Sequence, residues 1–185
     1  MKKREIQSFQ DKVSKFISDN NLIEKGETII LGVSGGADSM ALLDILIQLG
    51  YNCVVAHCNF HLRGEESNRD EMFVKKYCED NAIKYISISF DTYQYMADNS
   101  ISLEMAARKL RYDWFEKVRV EFNAAKIAVG HHKDDSIETF LINLTRGSGI
   151  KGLTGISPQN GYIIRPLLCL FREEALNYLT LKGIS

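Results

Sequence analysis

Short apolar runs alternate with longer amphipathic segments along most of the chain. The clearest example is the run at residues 28–33, which is followed by a glycine turn and then by the apolar-rich segment 40–49. Strands that alternate with helices in this way form parallel sheets with helices on both faces. The pattern therefore predicts an α/β fold with an open, mainly parallel sheet of five strands.

The same pattern places the individual elements. The predicted strands are residues 28–33, 52–57, 84–89, 126–129 and 162–165. The predicted helices are residues 6–20, 38–49, 66–81, 102–122, 134–145 and 171–185, and residues 91–101 are predicted to be a loop. We expect one domain, because 185 residues can bury a sizeable core and no segment looks like a linker.

The turn at residues 34–39, Ser-Gly-Gly-Ala-Asp-Ser, has the composition of a phosphate-binding loop. Backbone N–H groups in such a turn, together with the positive end of the following helix, attract anions. Gly35 and Gly36 allow close approach, and Ser34 and Ser39 add hydroxyl donors. No lysine follows the glycines, which excludes the common nucleoside-triphosphate loop. An ordinary turn with a serine cap uses the same residue types.

The other polar clusters favour a binding site over an ordinary turn. Ligands of open α/β sheets bind at the carboxyl ends of the strands, where the strand order reverses. Residues 34–39, 57–64, 130–135 and 165–166 each lie at the carboxyl end of a predicted strand, and together they contain histidines, arginines and paired carboxylates. Loops that only needed to be solvated would not require this composition at one edge of the sheet.

Charge and cysteine content limit the possible functions. The chain has 23 Lys and Arg against 24 Asp and Glu, whereas a module that bound nucleic acid by itself would be basic. No apolar run approaches the roughly 20 residues of a membrane span. The four cysteines form no Cys-x-x-Cys pair, and we interpret them as reduced thiols of a cytoplasmic protein.

The order of these motifs resembles the N-type ATP pyrophosphatase, or PP-loop, family, whose signature Ser-Gly-Gly-x-Asp-Ser matches residues 34–39. Within it the chain is most similar to the bacterial tRNA(Ile)-lysidine synthetases. The similarity covers residues 28–173, and the further matching blocks are residues 57–63, 104–112, 130–139, 144–153 and 165–168. One departure is Phe60, which stands before His61 where the family has a His-x-Asn-His run.

The resemblance implies an adenine-nucleotide α-hydrolase-like fold and an ATP-dependent ligase. ATP, with Mg²⁺, would adenylate carbon 2 of the wobble cytidine in the CAU anticodon of tRNA(Ile). Free L-lysine would then displace AMP to give lysidine. Residues 1–185 would be the N-terminal catalytic domain, followed by tRNA-binding domains outside this chain. The oligomeric state, monomer or homodimer, stays open.

The resemblance also assigns residues. The predicted ATP-binding residues are Ser34, Gly35, Gly36, Ala37, Asp38, Ser39 and His57. The predicted catalytic residues are Asp38, Arg111, His131, Asp135 and Glu138. Asp38 would hold the metal or the reacting amine, and no other metal ligand is assigned.

Asp135 and Glu138 are the candidates for the lysine pocket, because residues three apart share a helix face. The structural alternative for both carboxylates is a favourable interaction with the helix N-terminus. Asp134 is expected to cap that helix. His57 is as compatible with a core histidine as with an ATP contact.

Several alternatives remain at this stage. Arg111 and Arg108 are expected over the triphosphate, although Arg108 also suits an ion pair with Glu104. The glycine-rich segment 146–155 suggests either close approach to a substrate or a flexible connection. A related tRNA thiolase and a non-catalytic ATP-binding module are the alternative functions, and the absence of Cys-x-x-Cys pairs counts against the thiolase.

Overall fold

A mostly parallel sheet lies between two layers of helices. The computed structural model describes residues 2–146 and 154–184. Its strands are β1 Thr28–Gly32, β2 Asn52–Asn59, β3 Lys84–Ser89, β4 Lys126–Val129, β5 Gln159–Asn160 and β6 Ile163–Ile164. Their order across the sheet is β3-β2-β1-β4-β6-β5, and only the β5–β6 pair is antiparallel.

Six of the α-helices agree with the predicted segments, and the fourth along the chain does not. The helices are α1 Lys2–Asp19, α2 Ala37–Gln48, α3 Glu65–Asp80, α4 Thr92–Asn99, α5 Leu103–Glu121, α6 Lys133–Thr145 and α7 Arg172–Lys182, with a 3-10 turn at Pro166–Cys169. Helices α1, α2, α3 and α7 contribute to the core on one face of the sheet. Helix α5 packs on the opposite face.

The central strand shows why its sequence is continuously apolar. Ile29, Ile30 and Leu31 of β1 are all fully buried. Ile29 and Leu31 belong to the core under α2, whereas Ile30 belongs to the core under α5. Alternate side chains of a strand point to opposite faces, so a strand covered on both faces needs apolar residues at every position.

The structure corrects two sequence-based predictions. The segment 91–101, predicted to be a loop, contains helix α4, whose N-terminus is capped by Asp91 accepting a hydrogen bond from the N–H of Gln94. Only Thr92 of this helix is buried, so its sequence has no apolar periodicity to reveal it. The described sheet also has six strands, because the polar pair Gln159–Asn160 forms a short edge strand.

None of the helices in the described ranges is both long enough and apolar enough to cross a membrane.

Candidate active site

The predicted site lies where the strand order reverses. Strand β1 pairs with β2 on one side and β4 on the other, so the loops after β1 and β4 leave the sheet in adjacent positions. Gly130, directly after β4, lies against the first turn of α2: a Cβ there would be 3.1 Å from the Asp38 carbonyl carbon and from the Ser39 nitrogen. Glycine at this position therefore allows the two loops to form one surface.

The turn between β1 and α2 leaves a helix N-terminus available to an anion. Gly36 is the N-cap of α2, and its position supplies no side-chain cap to the first N–H groups. Gly35 has a φ of 92°, a conformation that favours glycine. Uncapped N–H groups together with the helix dipole attract negative charge, as in phosphate-binding loops.

The two serines of the turn stabilise the turn itself. The Ser39 hydroxyl donates to the Gly36 carbonyl at 2.8 Å and accepts the N–H of Ser34 at 3.1 Å. The Ser34 and Ser39 oxygens are 3.2 Å apart, and the Ser34 oxygen accepts the N–H of Gly36 at 3.3 Å. In this structure the serine hydroxyls hold the shape of the turn, a role that their sequence does not reveal.

Helix α3 closes one side of the turn. A Cβ on Gly35 would lie 2.9 Å from the Cβ of Asp70, so the backbone of the turn packs directly against this helix. Asp70 pairs with Arg63 at 2.8 Å, and Arg63 also pairs with Glu66 at 2.9 Å. These ion pairs fix the rim of the site beside the glycine turn.

A cavity of about 370 Å³ opens in front of the turn, lined by residues from the ends of β1, β2 and β4 and from α5. His57 lines it from β2 and is only 2% exposed. Its Nδ1 lies 2.8 Å from the Val33 carbonyl oxygen, which only accepts, so Nδ1 carries the proton. Burial lowers the pKa of His57 and keeps the ring neutral.

On the β4 side, a buried arginine orients His131. Arg165 is 7% exposed, and its Nε donates to the Nδ1 of His131 at 3.3 Å, while Nη1 donates to the Ser157 carbonyl at 2.8 Å. Neutral His131 therefore carries its proton on Nε2. Burial first, and the Arg165 charge second, lower the pKa of His131, so it lines the cavity as a neutral imidazole.

Two further arginines lie against aromatic rings. The guanidinium of Arg111, a cavity residue, lies 5.4 Å from the centre of the Phe60 ring, which in turn stacks on Phe90 at 5.5 Å. Arg108 lies 5.1 Å from the centre of the Tyr112 ring. No ion pair between Arg108 and Glu104 is present in the described part of the chain, contrary to the structural alternative for Arg108.

Acidic groups surround His132 on the other side of the first turn of α2. The Asp38 Oδ2 is 3.6 Å from the Nε2 of His132, and its Oδ1 is buried with no hydrogen-bond partner among the described residues. Burial raises the pKa of Asp38, although His132 and then Arg172 oppose this. His132 caps α6: its Nδ1 accepts the N–H of Asp135, and the Asp135 carboxylate accepts the N–H of His132 at 2.8 Å.

The acidic residues of α6 therefore differ in role. Asp135 takes part in the helix cap and still lies near Asp38, whose pKa it raises. Glu138 is exposed one turn further along. Asp134 was expected to cap α6, but His132 does so, and Asp134 instead accepts the N–H of Arg172 at the start of α7, at 2.7 Å.

The structure brings most of the predicted residues to one edge of the sheet. One cavity is lined by the glycine turn, His57, Arg111 and His131. Asp135 does not line it but contacts His132, which in turn contacts Asp38 of the turn. Most of the glycine-rich segment, residues 147–153, lies outside the described residues. Gly155 approaches its own chain closely: a Cβ there would lie 2.6 Å from the Ser136 Oγ.

Sequence reasoning missed the place of Phe60. Phe60 lines the cavity, whereas His61 is exposed and adopts a φ of 52°, with its N–H donated to Asn59 at 3.0 Å. The ring next to Arg111 comes from a different part of the chain, so no local pattern could reveal that contact. The only sign in the sequence was that Phe60 departs from the His-x-Asn-His run of the family.

Comparison with known families agrees with this geometry. A family model described as the PP-loop domain matches residues 5–185. This chain belongs to the PP-loop family. Residues 34–39, which resemble the signature of this family, are referred to below as the PP-loop.

Several relatives of this PP-loop chain are tRNA(Ile)-lysidine synthases. A tRNA(Ile)-lysidine synthase from Bacteroides thetaiotaomicron is 54% identical over 94% of this chain and 41% of its own length. The tRNA(Ile)-lysidine synthases of Parabacteroides distasonis and Petrotoga mobilis are 49% and 40% identical, over 39% and 59% of their own lengths. The chain thus spans about two fifths of the length of the first two relatives.

Solved structures share the PP-loop fold. The U34-tRNA thiolase NcsA from Methanococcus maripaludis, solved with its [4Fe-4S] cluster, matches with a TM-score of 0.80 at 20% identity, over the whole chain and 65% of its own. An NH3-dependent NAD synthetase from Campylobacter jejuni matches with a TM-score of 0.65 at 14% identity, over the whole chain and 74% of its own. At these identities the likeness establishes the fold alone.

Proposed function

We propose that this chain is the catalytic part of a tRNA(Ile)-lysidine synthetase, which joins lysine to carbon 2 of the wobble cytidine in a CAU anticodon. One observation carries the proposal: a PP-loop at an uncapped helix N-terminus faces arginines and neutral histidines, with an acidic cluster next to it. The names of relatives at 49–54% identity support this choice of substrates.

The first half-reaction is adenylation of the cytidine. The carbonyl oxygen on carbon 2 attacks the α-phosphorus of ATP, a new O–P bond forms, and the bond to pyrophosphate breaks. Backbone N–H groups of the PP-loop hold the departing pyrophosphate. Arg111 and His131, on the facing wall of the cavity, offset the charge at the α-phosphate, because a fixed donor stabilises charge that develops in the transition state.

The second half-reaction needs a neutral lysine amine. The ε-ammonium binds among Asp38, Asp135 and Glu138, loses a proton to a carboxylate, and attacks carbon 2. The C–N bond forms, the C–O bond breaks, and AMP leaves. Asp38 suits this role because burial raises its pKa and one of its oxygens has no donor within the described residues.

The chain's residues fit a Mg²⁺ ion that is held mainly by phosphate. No cluster of three or more His, Cys, Asp or Glu within residues 2–146 and 154–184 could hold a metal by itself. Mg²⁺ bound to nucleotides commonly takes one or two carboxylates together with phosphate oxygens and waters, and Asp38 could supply such an oxygen as the alternative to its contact with the lysine amine. When bound, the ion would neutralise phosphate charge.

The chemistry of the site does not favour the thiolase. Cys58 lines the cavity, but burial raises the pKa of its thiol to about 12, so it is not a ready thiolate. A non-catalytic ATP-binding module would explain the PP-loop but gives no role to the acidic cluster around His132.

The tRNA partner is part of the proposal. The nearly balanced charge of these 185 residues indicates that much of the grip on tRNA comes from residues outside them. We place the reaction in the cytoplasm, in keeping with four free thiols among the described residues.

The deciding experiment uses the full-length protein, ATP, radiolabelled lysine and tRNA(Ile) with a CAU anticodon. We expect AMP release and lysine incorporation in equal amounts, and neither with a tRNA whose wobble base is uridine. ATP binding without AMP release would support the non-catalytic module. In a parallel reaction with a labelled sulfur donor in place of lysine, incorporation of sulfur would support the thiolase. Either result would overturn the proposal.

A further inference from the structure

Three arginines in or next to the cavity have neutral partners: Arg111 lines the cavity, and Arg108 and Arg165 contact the lining residues Tyr112 and His131. Arg108 and Arg111 lie on aromatic rings, and Arg165 donates to an imidazole and a carbonyl. Within the described ranges none of the three forms an ion pair with a carboxylate. Arg63 also lines the cavity but pairs with Glu66 and Asp70 at 2.9 and 2.8 Å. Arg119 does not line it and pairs with Glu116 at 2.7 Å.

Neutral partners leave the charge of an arginine available. A carboxylate fixes a guanidinium firmly, but it cancels the positive charge and repels an approaching phosphate. The face of an aromatic ring attracts the cation through its quadrupole and adds no net charge. A site built for a polyanion therefore gains from rings where a structural arginine would use a carboxylate.

The ring under Arg111 is itself held in place. Phe60 stacks on Phe90 with an interplanar angle of 23°, and its carbonyl accepts the hydroxyl of Thr92 at 3.2 Å. Thr92 is 1% exposed, so this contact anchors the loop after β2 to the buried start of α4. Phe60 and Arg111 thus lie together at the wall of the cavity, and the Phe90 ring supports Phe60 by stacking.

We propose that Phe60 is a positioning residue that holds the guanidinium of Arg111 at the cavity with its charge uncompensated, ready for a phosphate of the nucleotide. The inference rests on the proposed function in taking ATP as the ligand. It predicts that the aromatic face of residue 60 matters for ATP affinity, beyond the volume that the side chain fills.

The test measures the binding of ATP and of inorganic pyrophosphate to the full-length protein by titration calorimetry. Phe60→Leu is expected to weaken ATP binding about 3- to 10-fold, the range of a cation–π contact, whereas Phe60→Tyr stays within about 2-fold of wild type. Phe60→Met, which fills similar space without a ring, should match Phe60→Leu and replaces it if that variant does not fold.

A double-mutant cycle isolates the contact. In an Arg111→Gln background, Phe60→Leu should cause no further loss of ATP affinity, because the cation that the ring holds is gone. An equal loss in both backgrounds would mean that Phe60 acts without Arg111 and would overturn the inference.

A matched control lies on the same helix. Arg119 of α5 also lies on a ring, 3.8 Å from the centre of Tyr162, but it pairs with Glu116 and does not line the cavity. Tyr162→Leu should leave ATP affinity unchanged. If wild type binds no ATP, the proposed function fails. If wild type binds ATP and Phe60→Leu binds it equally well, the positioning role alone is overturned.

Discussion

Two aspartates of helix α2, Asp38 and Asp44, have opposite surroundings. They are six residues apart, about 9 Å along the helix axis. Asp44 is 2% exposed, and both of its oxygens accept hydrogen bonds. Asp38 has one oxygen buried with no donor among the described residues and the other 3.6 Å from a histidine. One helix therefore carries a carboxylate whose two oxygens both accept hydrogen bonds and a carboxylate with one buried oxygen that accepts none among the described residues.

The surroundings of Asp44 hold the outer helices to the core. It accepts the hydroxyl of Tyr77 from α3 at 2.7 Å and the hydroxyl of Tyr178 from α7, and Lys182 lies 3.2 Å away. Gln10 of α1 donates to the Tyr178 oxygen at 3.2 Å. Burial first, and the bond to Asp44 second, raise the pKa of both tyrosines, so both remain donors.

Asp38 shows the opposite balance. A buried carboxylate oxygen without a donor costs stability, and the raised pKa of Asp38 expresses that cost. Such a group is explained when a ligand supplies the missing positive charge. Asp44 thus serves the fold, whereas Asp38 has the surroundings expected of the reactive carboxylate that we propose it to be.

The largest expected effect is on activity. Asp38→Asn should lower AMP release and lysine incorporation by roughly 10³-fold or more, because a neutral amide neither accepts the proton nor balances the bound cation. The free energy of unfolding should stay equal or rise slightly, since the fold disfavours this charge. Both are measured on the same preparation, one by the AMP assay and one by urea unfolding.

Asp44→Asn is the matched control for that variant. It makes the same chemical change on the same helix, and the folded fraction should retain wild-type AMP release. Full activity in Asp38→Asn, or its loss in folded Asp44→Asn, would reverse the roles given to the two residues.

The next effect is on stability. Asp44→Ala removes the acceptor of two buried hydroxyls and the partner of Lys182, so the free energy of unfolding should fall by about 3 kcal/mol. Urea unfolding of wild type and variant gives this number. A loss below about 0.5 kcal/mol would mean that the network adds little and that α7 is held by apolar packing.

The smallest expected effect is a pH dependence of the free energy of unfolding, which arises from the two histidines that line the cavity. Burial lowers the pKa of His57 and of His131, so below about pH 6.5 the unfolded chain binds protons that the folded chain refuses. The free energy of unfolding should therefore fall as the pH drops from 7 towards 5.5. Unfolding curves across this range test it, and His57→Asn should reduce the slope.

Measurements at acid pH also distinguish the cavity from the surroundings of Asp44. His57 and His131 line the cavity, and no histidine contacts Asp44 in the described part of the chain. Hydrogen exchange at pH 5.5 should therefore rise first around β2 and the end of β4, while α7 stays protected. Earlier exchange in α7 would contradict this.

Much of the fold could be predicted because its signals are local. The apolar run at 28–33, the glycine turn and the following helix appear in the structure with their bounds shifted by one or two residues. Helix α4 could not be found this way, because a short exposed helix carries no apolar stripe. The short edge strand β5 depends on pairing with β6, which a two-residue polar segment cannot show.

The sequence by itself determined the parallel α/β architecture, the glycine turn between β1 and α2 and the set of polar residues at the ends of the strands, since periodicity and turn chemistry act between neighbours in the chain. Only the tertiary structure decided that Asp44, and not Asp38, has hydrogen-bond donors for both of its oxygens. It also decided that His132 rather than Asp134 caps α6, and that Phe60 lies under Arg111. The Asp44 and Phe60 contacts join segments that are distant in sequence, and the choice between His132 and Asp134 follows from the distant contact of Asp134 with Arg172. The energies of these contacts depend on burial and geometry, which exist only once the chain is folded.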